Sequence, residues 1–284
     1  MPRRKLIYSF LGILLIASFI LAGIIFHSQN RELKVAIFDV GQGDAILIEQ
    51  GNNQILIDGG PSGQKVLEKM GLYMPFWDRK IEIMIATHPD QDHIAGLIEV
   101  MKNYEIGKIM DNGMSAESQV YKRFKEIIRQ KNISEMEGKR EMNIKLSGGA
   151  ELKILWPREG ENLKDSNGAS IVTRLAYGES SFLFTGDLPS DQEMVLASQE
   201  SNLNSQVLKV AHHGSRYSTG AEFLDKINPE KAVISVGKNS YGHPSQEVLD
   251  RLDKKGIKIL RTDKIGDIVY NCENNSNRCE LNID

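Results

Sequence analysis

Cysteine is scarce in this chain, which limits the sites that the chain can build. The 284 residues include two cysteines, Cys272 and Cys279. No histidine lies beside them in sequence, so they are poor candidates for metal ligands. They stand where an expected strand at 267–270 is followed, across a polar turn, by a second at 278–283. A hairpin disulfide and two free thiols are therefore both open. The chain also lacks a G-x-S-x-G segment, so covalent serine catalysis has no support.

Positive charge is in short supply as well. The chain has 35 Lys and Arg against 38 Asp and Glu, a formal net charge of -3. Without Arg3, Arg4 and Lys5 the remainder holds 32 basic against 38 acidic residues, about -6. Because neutralising phosphates normally requires a basic stripe, tight polyanion binding is not indicated. A nucleic-acid role would have to depend on a local basic patch.

One long apolar run stands near the N-terminus, at residues 6–26, and 21 residues match the thickness of a bilayer. The basic residues before it predict a cytoplasmic N-terminus, residues 1–5, and an exported remainder. Secretion after cleavage of a signal peptide is the alternative, but the run is long for a signal core and no clear A-x-A site follows. We therefore expect an uncleaved transmembrane anchor, a linker at 27–32 and one large α/β domain at 33–284.

Side chains that bind metal ions are concentrated at residues 87–96, which read T-H-P-D-Q-D-H-I-A-G. Four lie within this segment: His88, Asp90, Asp92 and His93. An apolar run at 81–86 predicts a buried strand that ends at the segment. An Asp-rich loop can instead be a helix cap, and Asp90 or Asp92 could cap a helix that begins near Ile94. The four together favour a metal site, because imidazole and carboxylate are usual donors to zinc and manganese.

Other chemistry-bearing residues also follow predicted strands. Apolar patterns predict strands at 33–40, 45–48, 54–57, 143–146, 151–156, 170–177, 181–185, 206–211 and 232–236, and helices at 64–72, 94–103, 118–130, 190–198 and 245–254. Five of the six histidines come at or just after such strands: His88, His93, His212, His213 and His243. Open α/β folds bind their ligands at this edge of the sheet. Asp39, Asp44 and Asp58 also lie at strand ends, where Asp is common in turns. We assign Asp58 the further role of orienting a metal ligand or a bound water.

Six segments of the chain together resemble the metallo-β-lactamase superfamily and, within it, the soluble domain of competence DNA-uptake proteins of the ComEC type. They are F-D-V-G-Q-G-D-A at 38–45, L-I-D-G-G at 56–60, T-H-P-D-Q-D-H at 87–93, F-T-G-D at 184–187, L-K-V-A-H-H-G-S at 208–215 and G-H-P-S at 242–245. The resemblance covers about 33–284. It implies a four-layer αβ/βα sandwich that holds two divalent metal ions in the crevice between its sheets.

The resemblance also implies which residues bind the ions. The implied ligands are His88, Asp90 and Asp187 for the first ion, and Asp92, His93, His213 and the bridging Asp187 for the second. His213 is preferred to His212, which would support the strand end or orient a ligand. Asp92 and His243 are the implied catalytic residues, and His243 would contact substrate or donate a proton.

Two departures from the wider superfamily concern the first ion. Asp90 replaces an imidazole, so that H-x-H-x-D-H becomes H-x-D-x-D-H. Asn167, Ser170 and Thr173 stand where many relatives supply a further histidine. This harder set of donors makes Mn²⁺ credible beside Zn²⁺.

The expected activity is hydrolysis of a phosphodiester, for which DNA is one candidate. Two divalent ions against three aspartates leave a formal charge of about +1, which a bridging hydroxide could neutralise. Five residues are expected to contact the substrate: Lys209, Ser215, Arg216, Asn167 and Ser170. Two alternatives stay open. One is hydrolysis of a cell-surface phosphorylcholine-type ester, a lactone or a thioester, and the other is a non-catalytic surface module with structural metals.

Overall fold

The computed structural model describes residues 2–29, 32–158, 165–273 and 278–282. The polar turn expected at 274–277 and the end of the strand expected at 278–283 lie outside these residues. Helix α1 (Pro2–Gln29) covers the apolar run, so the first three residues of the expected linker belong to the helix. Its segment Arg3–Leu21 is long and apolar enough to cross a membrane, judged by length and composition.

The rest of the described chain forms two mixed β-sheets. The first has eight strands in the order β15-β14-β1-β2-β3-β4-β5-β6, and the second has seven in the order β13-β12-β11-β10-β9-β8-β7. The first sheet consists of β1 (Leu33–Ile37), β2 (Ile46–Gln50), β3 (Asn53–Ile57), β4 (Lys80–Ile85), β5 (Glu105–Asp111), β6 (Ser134–Glu137), β14 (Ile268–Cys272) and β15 (Glu280–Asn282). The second consists of β7 (Asn143–Lys145), β8 (Glu151–Trp156), β9 (Val172–Tyr177), β10 (Ser180–Phe184), β11 (Val207–Lys209), β12 (Lys231–Ile234) and β13 (Lys258–Arg261).

Helices cover the outer face of each sheet. They are α2 (Gly63–Tyr73), α3 (Gln91–Asn103), α4 (Gln119–Lys131), α5 (Ser190–Gln199), α6 (Ala221–Ile227) and α7 (Gln246–Lys254), and the short helix α8 (Thr262–Ile265) directly follows β13. One apolar cluster packs α2, α3 and α4 against the first sheet, a second fills the space between the sheets, and a third packs α5, α6 and α7 against the second sheet. The four-layer αβ/βα sandwich expected from the sequence is confirmed.

Parallel pairing brings the functional loops to one edge of the molecule. Strands β3 to β6 run parallel to one another in the first sheet, and β10 to β13 do so in the second. The carboxyl ends of parallel strands meet at a common edge, where loops can form a site. Both groups of strands therefore contribute loops to a crevice between the sheets.

Several local predictions need correction. Helix α3 begins at Gln91 and not near Ile94, and Asp90 occupies its N-cap position without any capping hydrogen bond from its side chain. The helix predicted at 190–198 is α5, which begins at Ser190, extends to Gln199 and has Pro189 at its N-cap position. Cys272 and Cys279 are joined in a disulfide, which settles the choice between a bridge and two free thiols.

Candidate metal centre

Four chain segments deliver the predicted ligands to the crevice. His88 lies in the loop after β4, and His93 lies in the first turn of α3. Asp187 follows β10, and His213 lies in a short 3-10 turn, Ala211–Gly214, that follows β11. All four side chains are buried, with at most 3% exposed: His88, His93, Asp187 and His213. Because buried polar groups are costly without partners, these side chains must form hydrogen bonds with one another or bind a ligand.

The structure brings the two predicted ligand sets together. Around the first position, His88 Nε2 lies 3.8 Å from Asp187 Oδ2 and 3.9 Å from Asp90 Oδ2. Around the second, His213 Nε2 lies 3.3 Å from Asp92 Oδ2, and His93 Nε2 lies 3.4 Å from Asp187 Oδ1. Asp187 Oδ2 is also 3.6 Å from His213 Nε2. Asp187 therefore stands between the two groups, where a bridging carboxylate would be needed.

Each imidazole is held through its Nδ1 atom. His93 Nδ1 is 2.8 Å from Asp58 Oδ2, and His213 Nδ1 is 2.9 Å from the carbonyl oxygen of Ser235. His88 Nδ1 is 3.0 Å from the Thr87 hydroxyl, which donates in turn to Asp58. These contacts fix the tautomers, because a nitrogen that donates to an acceptor leaves the other ring nitrogen with its lone pair.

The opposite nitrogens converge without partners of their own. The Nε2 atoms of His88, His93 and His213 are buried and have no hydrogen-bond partner, and the same holds for Asp187 Oδ1. Among the described residues, His88, His93 and Asp187 offer ligand atoms within 4.8 Å of one another, and so do Asp92, His93 and His213. Orphaned imidazole lone pairs facing a carboxylate are what a divalent cation requires. The residues present therefore fit the metal ions that the sequence implies.

The electrostatics favour a cation in the same place. Burial and the neighbouring His93 lower the pKa of His88 to about 3, so this imidazole is neutral. Burial also tends to lower the pKa of His93, but Asp187 and Asp58 outweigh it and raise that pKa well above its usual value. Burial would raise the pKa of Asp187, but His213 and His93 hold it well below the usual range. The carboxylates thus present negative charge that must be balanced, either by a proton on His93 or by a bound cation that displaces this proton.

Asp90 differs from the other candidate ligands in its exposure. Its side chain is 46% exposed, and its Oδ1 accepts a hydrogen bond of 3.1 Å from the Ser166 hydroxyl. Ser166 was not singled out in the sequence, since a lone serine in a polar loop carries no signal. Asp90 therefore forms the open rim of the first group, and Asp187 forms its buried floor.

His212 and His243 lie at the mouth of the cluster. His212 Nε2 is 3.7 Å from Asp187 Oδ2, and its side chain is 30% exposed. The rings of His212 and His243 are 5.4 Å apart. Burial lowers the pKa of His243, and so do His212 and His213. Because a neutral imidazole carries no extra proton to donate, His243 is better suited to contact the substrate than to act as a general acid.

Three of the five residues expected to contact substrate are buried in supporting roles, so that expectation needs correction for them. Lys209 is 1% exposed, and its ammonium lies 2.6 Å from Asp44 Oδ2. The Ser170 hydroxyl accepts a hydrogen bond from the backbone N–H of Asp187, and the Ser215 hydroxyl accepts one from the N–H of Tyr217. Arg216 has a side chain 61% exposed, and Asn167 lies half-buried in the loop that contains Ser166. These last two remain available to a substrate.

The turn residue Asp44 supports the cluster in a way that sequence reasoning missed. It is 2% exposed, and its Oδ1 lies 3.5 Å from His213 Nδ1. Its backbone N–H donates to the carbonyl of Asp92 at 3.3 Å. The neighbouring Gly43 allows this contact, because a Cβ there would lie 2.2 Å from the same carbonyl oxygen. The G-Q-G-D segment is the sequence signal for this role, but turn chemistry accounts for its Asp equally well.

Comparison with known proteins places this arrangement in a family. Residues 38–238 match the model of the metallo-β-lactamase superfamily. ComE operon protein 3 of Bacillus subtilis (strain 168) is 31% identical over 275 residues, covering 88% of this chain and 34% of that protein. Competence protein ComA of Neisseria gonorrhoeae is 30% identical over 261 residues, covering 89% and 35% respectively. The chain thus spans about a third of the length of these two curated relatives.

Solved structures support the same fold. The metallo-β-lactamase fold protein YhfI from Bacillus subtilis superposes with a TM-score of 0.55 at 14% identity, covering 85% of this chain and 100% of that one. At this identity the likeness speaks for the fold alone. With its fold, its His/Asp cluster and its sequence relatives in agreement, the chain belongs to the metallo-β-lactamase superfamily, on the branch that contains the competence proteins.

Proposed function

We propose that the protein is a membrane-anchored, extracytoplasmic metallohydrolase that uses two divalent ions to cleave phosphodiesters. The observation that carries the proposal is the convergence of three buried Nε2 atoms, each held from its other ring nitrogen, on the carboxylate of Asp187. Such preorganisation is expected of a catalytic centre, where the ligands must hold one geometry through the reaction. A structural metal site is normally closed by protein ligands, whereas the side of this site at Asp90 is open to solvent, as a catalytic site requires.

The roles follow from the positions of the side chains. His88, Asp90 and Asp187 would hold the first ion, and Asp92, His93, His213 and Asp187 the second. Bound there, Zn²⁺ or Mn²⁺ would supply Lewis acidity and a nucleophile derived from water. Asp58 orients His93 directly and His88 through Thr87. His243 and Arg216 stand at the mouth, where they would bind the oxygen atoms of the substrate.

Nucleic acid is the substrate class that we favour. One relative is named competence protein ComA, and another is named ComE operon protein 3. The formal net charge of -3 argues against a long basic track, so contact with a strand would be local to the centre. The hydrolase would act on a short stretch of strand at the crevice and not along an extended surface.

The N-terminal helix supports the anchoring part of the proposal. The candidate span Arg3–Leu21 begins with the basic residues Arg3, Arg4 and Lys5 and is apolar after them. Basic residues precede the apolar run, and the first acidic residue of the sequence is Glu32. This distribution of charge favours a cytoplasmic N-terminus. The hydrolase domain would then lie outside the cytoplasm, in keeping with the Cys272–Cys279 disulfide.

Hydrolysis of bis-p-nitrophenyl phosphate by the full chain in detergent, loaded with Zn²⁺ or Mn²⁺, tests the proposal. We expect turnover that chelation abolishes and metal restores. Asp187→Asn serves as the inactive reference because it keeps the size of the side chain while removing its charge. Turnover of a p-nitrophenyl acyl ester without turnover of the phosphodiester would assign the protein to acyl substrates. Full metal loading with turnover of neither would indicate a non-catalytic module.

A further inference from the structure

An exposed aromatic side chain, that of Tyr241, lies in a loop at the crevice that holds the metal centre. Tyr241 is 73% exposed and lies in the loop between β12 and α7. Strand β12 runs parallel to β11 and ends at the same edge, so this loop borders the crevice. A ring left this far in water contributes little to folding, since apolar surface stabilises only when it is buried.

The loop that carries Tyr241 is firmly built. The amide oxygen of Asn239 accepts hydrogen bonds from the backbone N–H groups of Tyr241, at 3.1 Å, and His243, at 3.0 Å. The amide nitrogen of Asn239 donates to the carbonyl oxygens of Gly237, at 2.9 Å, and His243, at 2.8 Å. One side chain thus ties both ends of the loop, and the tyrosine is presented from a fixed backbone.

A line of rings connects Tyr241 to the Asp187 carboxylate. The Tyr241 and His243 rings are 5.7 Å apart and tilted by 31°, and the His243 and His212 rings are 5.4 Å apart. His212 Nε2 is 3.7 Å from Asp187 Oδ2. A strand with its phosphate at the metal centre would therefore place a neighbouring base close to Tyr241.

The charges near this ring suit the same ligand. Lys238 is exposed in the same loop, and Arg216 is 61% exposed next to the His212–Ser215 turn. Proteins that bind single strands combine such cations with aromatic platforms, because every base offers a face for stacking. A duplex keeps its bases stacked inside and would gain nothing from the exposed ring.

We propose that Tyr241 is a stacking platform for a base of single-stranded nucleic acid and that it sets the preference of the metal centre for such strands. The inference rests on the proposed phosphodiesterase function and narrows its substrate. Stacking on an aromatic side chain lowers the KM for a normal strand relative to an abasic one, by roughly tenfold for one base.

The test compares the metal-loaded full chain in detergent on two oligodeoxynucleotides of equal length, one normal and one abasic. Wild type is expected to show about a tenfold lower KM for the normal strand. Tyr241→Ala should abolish this preference by raising the KM of the normal strand alone, whereas Tyr241→Phe should keep it. Phe76→Ala is the matched control, since Phe76 is 79% exposed but precedes β4 at the opposite edge.

Fluorescence anisotropy of a labelled single strand gives a second readout that is independent of turnover, and Tyr241→Ala should weaken binding by a similar factor. Equal binding and equal strand preference in wild type and Tyr241→Ala would overturn the inference. So would a raised KM of Tyr241→Ala for a choline phosphodiester with the strand preference intact, because the ring would then recognise a quaternary ammonium. Cleavage of neither strand, with binding still dependent on Tyr241, would contradict the proposed function and leave the platform supported.

Discussion

Asp187 lies within 3.8 Å of the Nε2 atoms of four histidines: His88, His93, His212 and His213. Because both proposed ions share this carboxylate, we expect Asp187→Ala to lose both ions or nearly so. Asp90 touches the first group only, so Asp90→Ala should chiefly empty the first position. Elemental analysis of the purified variants measures the difference. Asp191→Ala, which removes an exposed carboxylate from nearby α5, should keep the wild-type metal content. Equal and full retention in Asp187→Ala and Asp90→Ala would refute the bridge.

The buried pair of Lys209 and Asp44 makes a second prediction at the same scale. Lys209→Met leaves the Asp44 carboxylate buried without its cation, which should cost roughly 3–5 kcal/mol of unfolding free energy. Adding Asp44→Asn removes the orphaned charge and should recover part of the loss. Chemical denaturation of the single and double variants measures both effects. Normal stability of Lys209→Met with a raised KM for phosphodiesters would instead show that Lys209 contacts the substrate.

The individual residues show where sequence reasoning works and where it fails. Asp90, Asp92 and His93 were found because they are neighbours in one short segment, and local spacing alone marks them. Asp44 and Lys209 are far apart in sequence, and nothing local tells a buried lysine from one that faces a phosphate. The supporting roles of Ser170 and Ser215 escaped for the same reason, since a serine hydroxyl serves a backbone N–H and a phosphate equally well.

Among the elements, the strands that sequence reasoning missed include β5 and β6. β5 reads E-I-G-K-I-M-D, and its exposed Glu105, Gly107 and Lys108 break the apolar pattern. β6 reads S-E-M-E and lies at the edge of the first sheet, with three exposed residues. Edge strands bury little and so carry little periodic signal. The buried strands β4 and β10, which position His88 and Asp187, were found from their apolar runs.

Helix α3 must approach the turn after β3 very closely to place His93 beside Asp58. A Cβ at Gly96 would lie 1.8 Å from the carbonyl oxygen of Gly59. Gly96→Ala should therefore push α3 away, with a loss of about 2–4 kcal/mol in stability and of metal affinity. Gly71→Ala is the matched control, because a Cβ at this helical position in α2 meets nothing within 4 Å. It should stabilise the fold by up to about 1 kcal/mol, and equal denaturation midpoints for the two variants would contradict this account.

At the scale of the whole molecule, the metal centre and the point where the N-terminal segment joins the first sheet lie at opposite ends of its strands. We call the end that contains the start of β1 the Leu33 edge. Leu33, the first residue of β1, pairs with Gln50 at the end of β2, and the adjoining strands β3 and β4 begin at that same edge. His88 follows the other end of β4, which spans about 20 Å at the usual rise per residue. Since α1 ends at Gln29, four residues before β1, the Leu33 edge lies within roughly 14 Å of the end of the helix.

If α1 anchors the protein, the Leu33 edge should face the bilayer, and Trp77 reports on it. Trp77 is 74% exposed and borders a groove of about 490 Å³ that Leu33 and Tyr73 also line, while Trp156, the other tryptophan, is 1% exposed. Tryptophan is favoured at the membrane interface, where its ring is buried in part while its N–H stays solvated. In vesicles that contain brominated lipids we expect quenching of Trp77 fluorescence, and Trp77→Phe should remove most of it. Quenching that survives in Trp77→Phe would place a different surface on the bilayer. With the Leu33 edge on the membrane, the Asp187 cluster opens away from the lipid. Its substrates would then be nucleic-acid strands in the aqueous phase and not the lipid headgroups of the same bilayer.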